Sequence, residues 1–131
     1  MEDSIFSKII IGEVPCHKVF EDKNTFAFMD IHPIQPGQVL VVSKRQVGNF
    51  YELGDSEYQD LMRSVKLIAK RLAKIFADKK RVAMIIEGLD VDHVHVKLFP
   101  ISTGEELRDI PDMSADPDHD SLAELAAKIA P

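Results

Sequence analysis

From His93 to Leu98 the chain sets His93, His95 and Lys97 against Val94, Val96 and Leu98 in strict alternation. Successive side chains of a β-strand point to opposite faces. One extended conformation therefore puts the three nitrogen-bearing groups on one side and the three aliphatic ones in a core on the other. The pattern predicts a strand over residues 93–99, preceded by a strand over 82–86 and joined to it by the short loop 87–92.

The remaining elements fit around that strand. Asp3 or Ser4 can cap a short helix whose stripe is Ile5, Phe6, Ile9 and Ile10, with Gly12 as its stop. Residues 17–21 and 25–30, separated by Asp22-Lys23-Asn24, read as an antiparallel hairpin. Pro33, Pro36 and Gly37 form a loop, and the uninterrupted Val39 to Val42 suggests a central strand covered on both faces. A long helix is expected from a capping box at Ser56 and Gln59, with Leu61, Val65, Ile68, Leu72 and Phe76 at helical spacing. Arg63, Lys66, Lys70, Arg71 and Lys74 occupy its other side and read as a solvated face. Beyond Pro100, five aspartates mixed with Pro111 and Pro117 suggest a mobile acidic connection. Ser121 and Glu124 form a second capping box for a short closing helix.

These elements give an α+β fold of one sheet, one long helix and two short ones. Residues 1–110 would form the main domain, and 111–131 a connection and helix beside it. With 131 residues, 45% of them hydrophobic, the chain can bury a single core. Asp and Glu outnumber Lys and Arg by 22 to 16, which disfavours a grip on polymeric nucleic acid while leaving a small nucleotide possible. The lone Cys16 can form neither an internal disulfide nor a cysteine cluster for zinc. The acidic start and the lack of a membrane-length apolar run lead to the expectation of a soluble, cytoplasmic protein.

The reactive face carries the functional argument. A neutral imidazole can attack phosphorus at physiological pH, and a neighbouring lysine can stabilise charge developing on phosphate oxygens. Two other readings of His-x-His stand beside this one. The histidines could merely decorate an exposed strand face, or they could supply two zinc ligands, although a catalytic zinc commonly takes three.

The stretch Val91-Asp92-His93-Val94-His95-Val96-Lys97-Leu98-Phe99-Pro100 resembles the histidine triad motif, His-x-His-x-His followed by apolar residues. Phe26-Ala27-Phe28-Met29-Asp30-Ile31-His32-Pro33 and Pro36-Gly37-Gln38-Val39-Leu40-Val41-Val42 resemble the upstream signature of the same HIT family. The resemblance runs from about Ile5 to Pro100. It implies a five-stranded antiparallel sheet with a long helix, a homodimer, and action at the α-phosphate of nucleotide conjugates such as phosphoramidates or dinucleoside polyphosphates. By the same matching, His95 would carry a covalent nucleotidyl group and His93 would orient and polarise the site. Asp30 would hold the ribose hydroxyls, and Ile5, Phe6, Phe28 and Ile31 would enclose a purine. No cofactor is implied.

Three departures matter. The third histidine of the triad is Lys97, which donates but does not accept. Where some relatives bind structural zinc through Cys-x-x-Cys and a histidine, this chain has Ser4, Ser7 and Gln46, so no metal is expected. The loop 88–91 is shorter than usual and lacks the Gln-Ser that handles phosphate in many relatives. An enzyme and a nucleotide-binding module that has lost turnover both remain open at this point.

Overall fold

The computed structural model describes residues 2–131. Strands β1 (Lys18–Glu21), β2 (Thr25–Met29), β3 (Val39–Ser43), β4 (Arg81–Ile85) and β5 (His95–Ile101) form one antiparallel sheet in the order β1-β2-β3-β5-β4. Helices α1 (Ile5–Ile10), α2 (Asp55–Ile75), α3 (Gly104–Leu107) and α4 (His119–Ile129) complete the α+β architecture. The single turn of α3 and a 3-10 turn at Phe50–Glu52 are elements the sequence reading did not include.

The pleat sorts the sheet into two chemically different faces. Val39 and Val41 of β3, Ala27 and Met29 of β2, and Val96 and Leu98 of β5 pack against α2 and α4. Leu40 and Val42, with Phe26 and Phe28, turn the other way and meet Phe6 and Ile9 of α1. β3 is bonded to β2 and β5 and buried from end to end, so Val39 to Val42 are apolar on both faces, and the buried Ser43 donates to Arg45 O. On α2, Leu61, Ile68 and Leu72 are fully buried, and truncating any one to Ala would cost about 2–5 kcal/mol.

Several boundaries differ from the sequence reading. The last strand begins at His95 rather than His93, because a tight His93 N to Val91 O bond of 2.8 Å breaks the extended run just before it. The strand then continues through Pro100 to Ile101, paired with β4, which itself lies one residue earlier than expected. α2 starts at Asp55. Its cap is Gly54, whose N–H is accepted by Glu57 Oε1 at 2.9 Å, and Arg45 holds that carboxylate in place from the far side. Ser56 and Gln59 lie inside the helix. α4 starts under Asp118, which accepts from Ser121 N at 3.1 Å and Ser121 Oγ at 2.8 Å, so Ser121 is the capped residue and not the cap.

Arg71 is not a solvated charge either. Its guanidinium donates to the carbonyls of Lys128 (2.8 Å) and Ile129 (3.2 Å), which α4 cannot satisfy internally. The acidic stretch is also tethered. Gln35 Nε2 donates to Glu106 O at 2.9 Å and Asp109 Oδ2 at 3.1 Å, and the His32 ring lies 3.2 Å from Ala115 O. No helix among the described residues is long and apolar enough to cross a membrane.

Two substitutions test this framework. Gly37 sits at φ 91° with its would-be Cβ 2.7 Å from the Phe76 ring. Gly37→Ala should therefore lower unfolding stability by roughly 1–3 kcal/mol in urea titration, through backbone strain and displacement of that ring. Arg71→Met, which keeps the aliphatic stem, should cost about 1–2 kcal/mol and raise amide exchange selectively in α4.

Candidate functional site

Nearly all the residues singled out by sequence reasoning meet in one cavity of about 510 Å³ between α1 and the open face of the sheet. Ile5 and Phe6 come from α1, Phe28 from β2, Asp30 and Ile31 from the turn after it, and His95 and Lys97 from β5. His93 is the exception. It is fully buried behind the wall and does not line the cavity.

The local geometry determines which proton each imidazole carries. His95 Nδ1 lies 2.7 Å from the His93 carbonyl oxygen, and a carbonyl can only accept, so Nδ1 holds the proton. Nε2 then keeps its lone pair. No fully buried side-chain nitrogen or oxygen among the described residues lacks a partner, so Nε2, which bonds to no protein atom, keeps some accessible surface on a residue that lines the cavity. Burial holds the His95 ring below the ordinary imidazole pKa, and the Lys97 ammonium pushes it the same way. The ring is thus neutral near pH 7. Phe6 packs edge-on against it with centroids 4.8 Å apart, which limits its rotation.

His93 is fixed from both sides. Its Nε2 donates to Ser43 O at 2.6 Å, so Nδ1 must accept, and Ser4 Oγ lies 2.6 Å from it. Burial depresses the pKa of His93 too. Its contribution to the cavity is its carbonyl, which orients His95.

Charge in the cavity is sparse. Lys97 is the only Lys or Arg among the lining residues, and Glu87 Oε1 lies 3.5 Å from its Nζ. Asp30 accepts from His32 N–H and from Gln38 Nε2, each at 2.9 Å, while Gln38 Oε1 accepts from Ile34 N–H at 2.7 Å. Each Asp30 oxygen retains acceptor capacity for a further donor. Burial raises the Asp30 pKa, opposed by the His32 amide and the Lys97 charge.

Sequence reasoning missed the part played by four residues. Gln38 is 1% exposed and holds Asp30; a lone amide directly before an all-apolar strand was its visible signal. Pro111 and Met113, from the segment expected to be mobile, form part of the cavity wall, and their composition carried no hint of it. Ser4, read as a possible helix cap and as standing where relatives have a zinc ligand, reaches the ring of His93 as well.

Comparison with known proteins follows the same outline. The HIT domain model matches residues 11–104. An uncharacterized HIT-like protein of Methanocaldococcus jannaschii is 36% identical over 104 residues, covering 77% of this chain and 81% of that one. An adenosine 5'-monophosphoramidase of Schizosaccharomyces pombe is 33% identical over 100 residues, covering 73% of this chain and 72% of the enzyme. Among solved structures, a HIT-like protein from Bartonella henselae superposes with a TM-score of 0.83 at 28% identity, covering 98% of this chain and 94% of that one. Fold, motif order and sequence agree, and the chain belongs to the HIT domain family.

Proposed function

We propose that this protein is a nucleotidyl hydrolase or transferase that cleaves a purine nucleotide conjugate at its α-phosphate through a nucleotidyl-His95 intermediate. The observation that carries the reading is the unpartnered, neutral Nε2 of His95 on the wall of a mononucleotide-sized cavity. Similarity to an adenosine 5'-monophosphoramidase supports the substrate class.

In this reading the base lies between Ile5, Phe6, Phe28 and Ile31, and the ribose hydroxyls donate to the free acceptor sites of Asp30. The His95 Nε2 lone pair forms a bond to the α-phosphorus, and the bond from phosphorus to the leaving nitrogen or oxygen breaks with its electron pair. That group takes a proton from solvent. Lys97 donates to the non-bridging oxygens as their charge grows. Water then attacks the phosphorus, the bond from phosphorus to Nε2 breaks with its electron pair returning to Nε2, and the nucleoside monophosphate leaves as the water's proton passes to solvent. The reading includes a homodimer, for which the free edge of β4, with Met84 half exposed, offers an unpaired strand.

Lys97 in place of the third histidine favours the second reading, a binding module without turnover. Calorimetry with AMP and a hydrolysis assay separate the two. His95→Ala should lower turnover of adenosine 5'-phosphoramidate by on the order of 10³-fold or more and abolish the acid-labile nucleotidyl-protein that rapid quenching of the parent should trap. Unchanged turnover would overturn the assignment, and tight AMP binding with no hydrolysis in the parent protein would favour the module.

The pH profile offers a separate check. A depressed His95 pKa keeps the nucleophile unprotonated to lower pH than a free imidazole, so the acid limb of kcat/KM should fall with a midpoint below about 6.5. Lys97→Met removes a like charge, favours the imidazolium and should move that midpoint upward, whatever it does to the maximum rate.

A further inference from the structure

We propose that Ser4 is a positioning residue for the nucleophile: its hydroxyl proton, given to His93 Nδ1, fixes the ring whose carbonyl orients His95, while the same oxygen caps helix α1. The part of this that concerns catalysis rests on the function proposed above.

The case is one of donor and acceptor direction. Ser4 Oγ accepts from Ser7 N–H at 3.0 Å, which makes Ser4 the cap of α1. Its own proton has two possible acceptors, His93 Nδ1 at 2.6 Å and Ser7 Oγ at 3.5 Å, and the shorter is far the better bond. Ser7 does not compete for the ring. Its hydroxyl donates to Gln46 Oε1 at 2.7 Å, and its distance to His93 Nδ1 is 3.5 Å. Gln46 Oε1 also accepts from Ser4 N–H at 2.9 Å, and the Gln46 amide nitrogen donates to Glu2 O at 2.9 Å. Every group in the cluster therefore has one direction available, ending in Ser4 O–H to Nδ1 and His93 Nε2–H to Ser43 O.

His93 precedes the regular part of β5, in an irregular turn held by His93 N to Val91 O and Val94 N to Val47 O. A fully buried ring there has no water to replace a lost partner. Without the Ser4 proton, Nδ1 is orphaned or must take a proton itself. Either change disturbs the carbonyl on which His95 Nδ1 depends at 2.7 Å. Because α1 supplies Ile5 and Phe6, one oxygen links the apolar wall to the orientation of the reactive ring.

The test compares variants that separate the cap from the donor. Ser4→Asp keeps a good N-cap but presents an acceptor where a donor stood, whereas Ser4→Thr keeps both. Nitrogen-15 NMR of the ring should show His93 neutral and protonated at Nε2 in the parent and in Ser4→Thr at pH 7, and protonated at Nδ1 in Ser4→Asp. With phosphoramidate as substrate, kcat should fall about tenfold in Ser4→Asp with KM little changed, and be restored in Ser4→Thr. An unmoved His93 signal in Ser4→Asp overturns the proposal, and so does a moved signal with unchanged kcat. A moved signal in a protein whose parent has no turnover sustains the hold of Ser4 on His93 and sinks the proposed function instead. Should Ser4→Asp fail to fold, Ser4→Gly, which leaves α1 an acceptable cap but no donor, should shift the His93 Nδ1 signal and lower kcat, and an unmoved signal there overturns the proposal equally.

Discussion

An imidazole that donates through Nδ1 has its remaining lone pair on Nε2, and the cavity is organised around that one consequence. The His93 carbonyl accepts a hydrogen bond from His95 Nδ1 at 2.7 Å, so the backbone immediately before β5 decides which nitrogen of His95 keeps its lone pair. Keeping that carbonyl still requires His93 to be anchored. Ser43 at the end of β3 and Ser4 ahead of α1 do so from opposite sides. The His95 ring is therefore held by three separate pieces of chain, each rigid for its own reason.

The sheet makes this arrangement affordable by dividing labour between its faces. Val94, Val96 and Leu98 are almost wholly buried with α2 and α4, and this packing fixes β5 in register with β3. A slip by one residue would drive His95 and Lys97 into the aliphatic core, where neither finds partners, and the penalty for burying unpaired polar groups excludes it. The opposite face can then carry the cavity without contributing most of the stability. α1, at six residues, closes it with a small aromatic and aliphatic cluster, and both α1 and the Pro111–Met113 wall lie outside the 11–104 stretch that matches the family.

How much of this was visible in the sequence depended on the range of the interaction. Alternation in 94–98, the unbroken run in β3 and the spacing along α2 are local, and each was readable because period alone dictates which face is buried. The start of β5 was not readable. His93 belongs to the alternation by sequence, but the His93 N to Val91 O turn takes it out of the strand, and its ring is tied to Ser4, 89 residues away, and Ser43, 50 residues away. The cap of α2 was misread for a related reason. Ser56 and Gln59 fit the local pattern better than Gly54 and Glu57, yet the helix starts at the latter pair, where Arg45 holds Glu57. The acidic segment looked free on composition, yet its tethers, His32 and Gln35, stand 83 and 71 residues from their partners. Asp30 was identifiable from its motif, whereas the role of Gln38 needed the turn that folds it back on Asp30.

Lys97 is where sequence and geometry bear on substrate charge together. The cavity lining holds one ammonium, Lys97, against the carboxylates of Asp30 and Asp90, with Glu87 adjacent to the lysine. A neutral His95 adds no positive charge. A ligand with a single negative charge on its α-phosphate can be met by Lys97 alone once Glu87 releases it, because at 3.5 Å the partly buried pair is long and still reached by solvent. A chain of several phosphates would leave its further charges beside carboxylates. In the proposed reaction this favours a phosphoramidate over a dinucleoside polyphosphate. It also accounts for how an ammonium can serve where an acceptor is lost: an amine leaving group can draw its proton from solvent, so the residue at this place need only stabilise the phosphate.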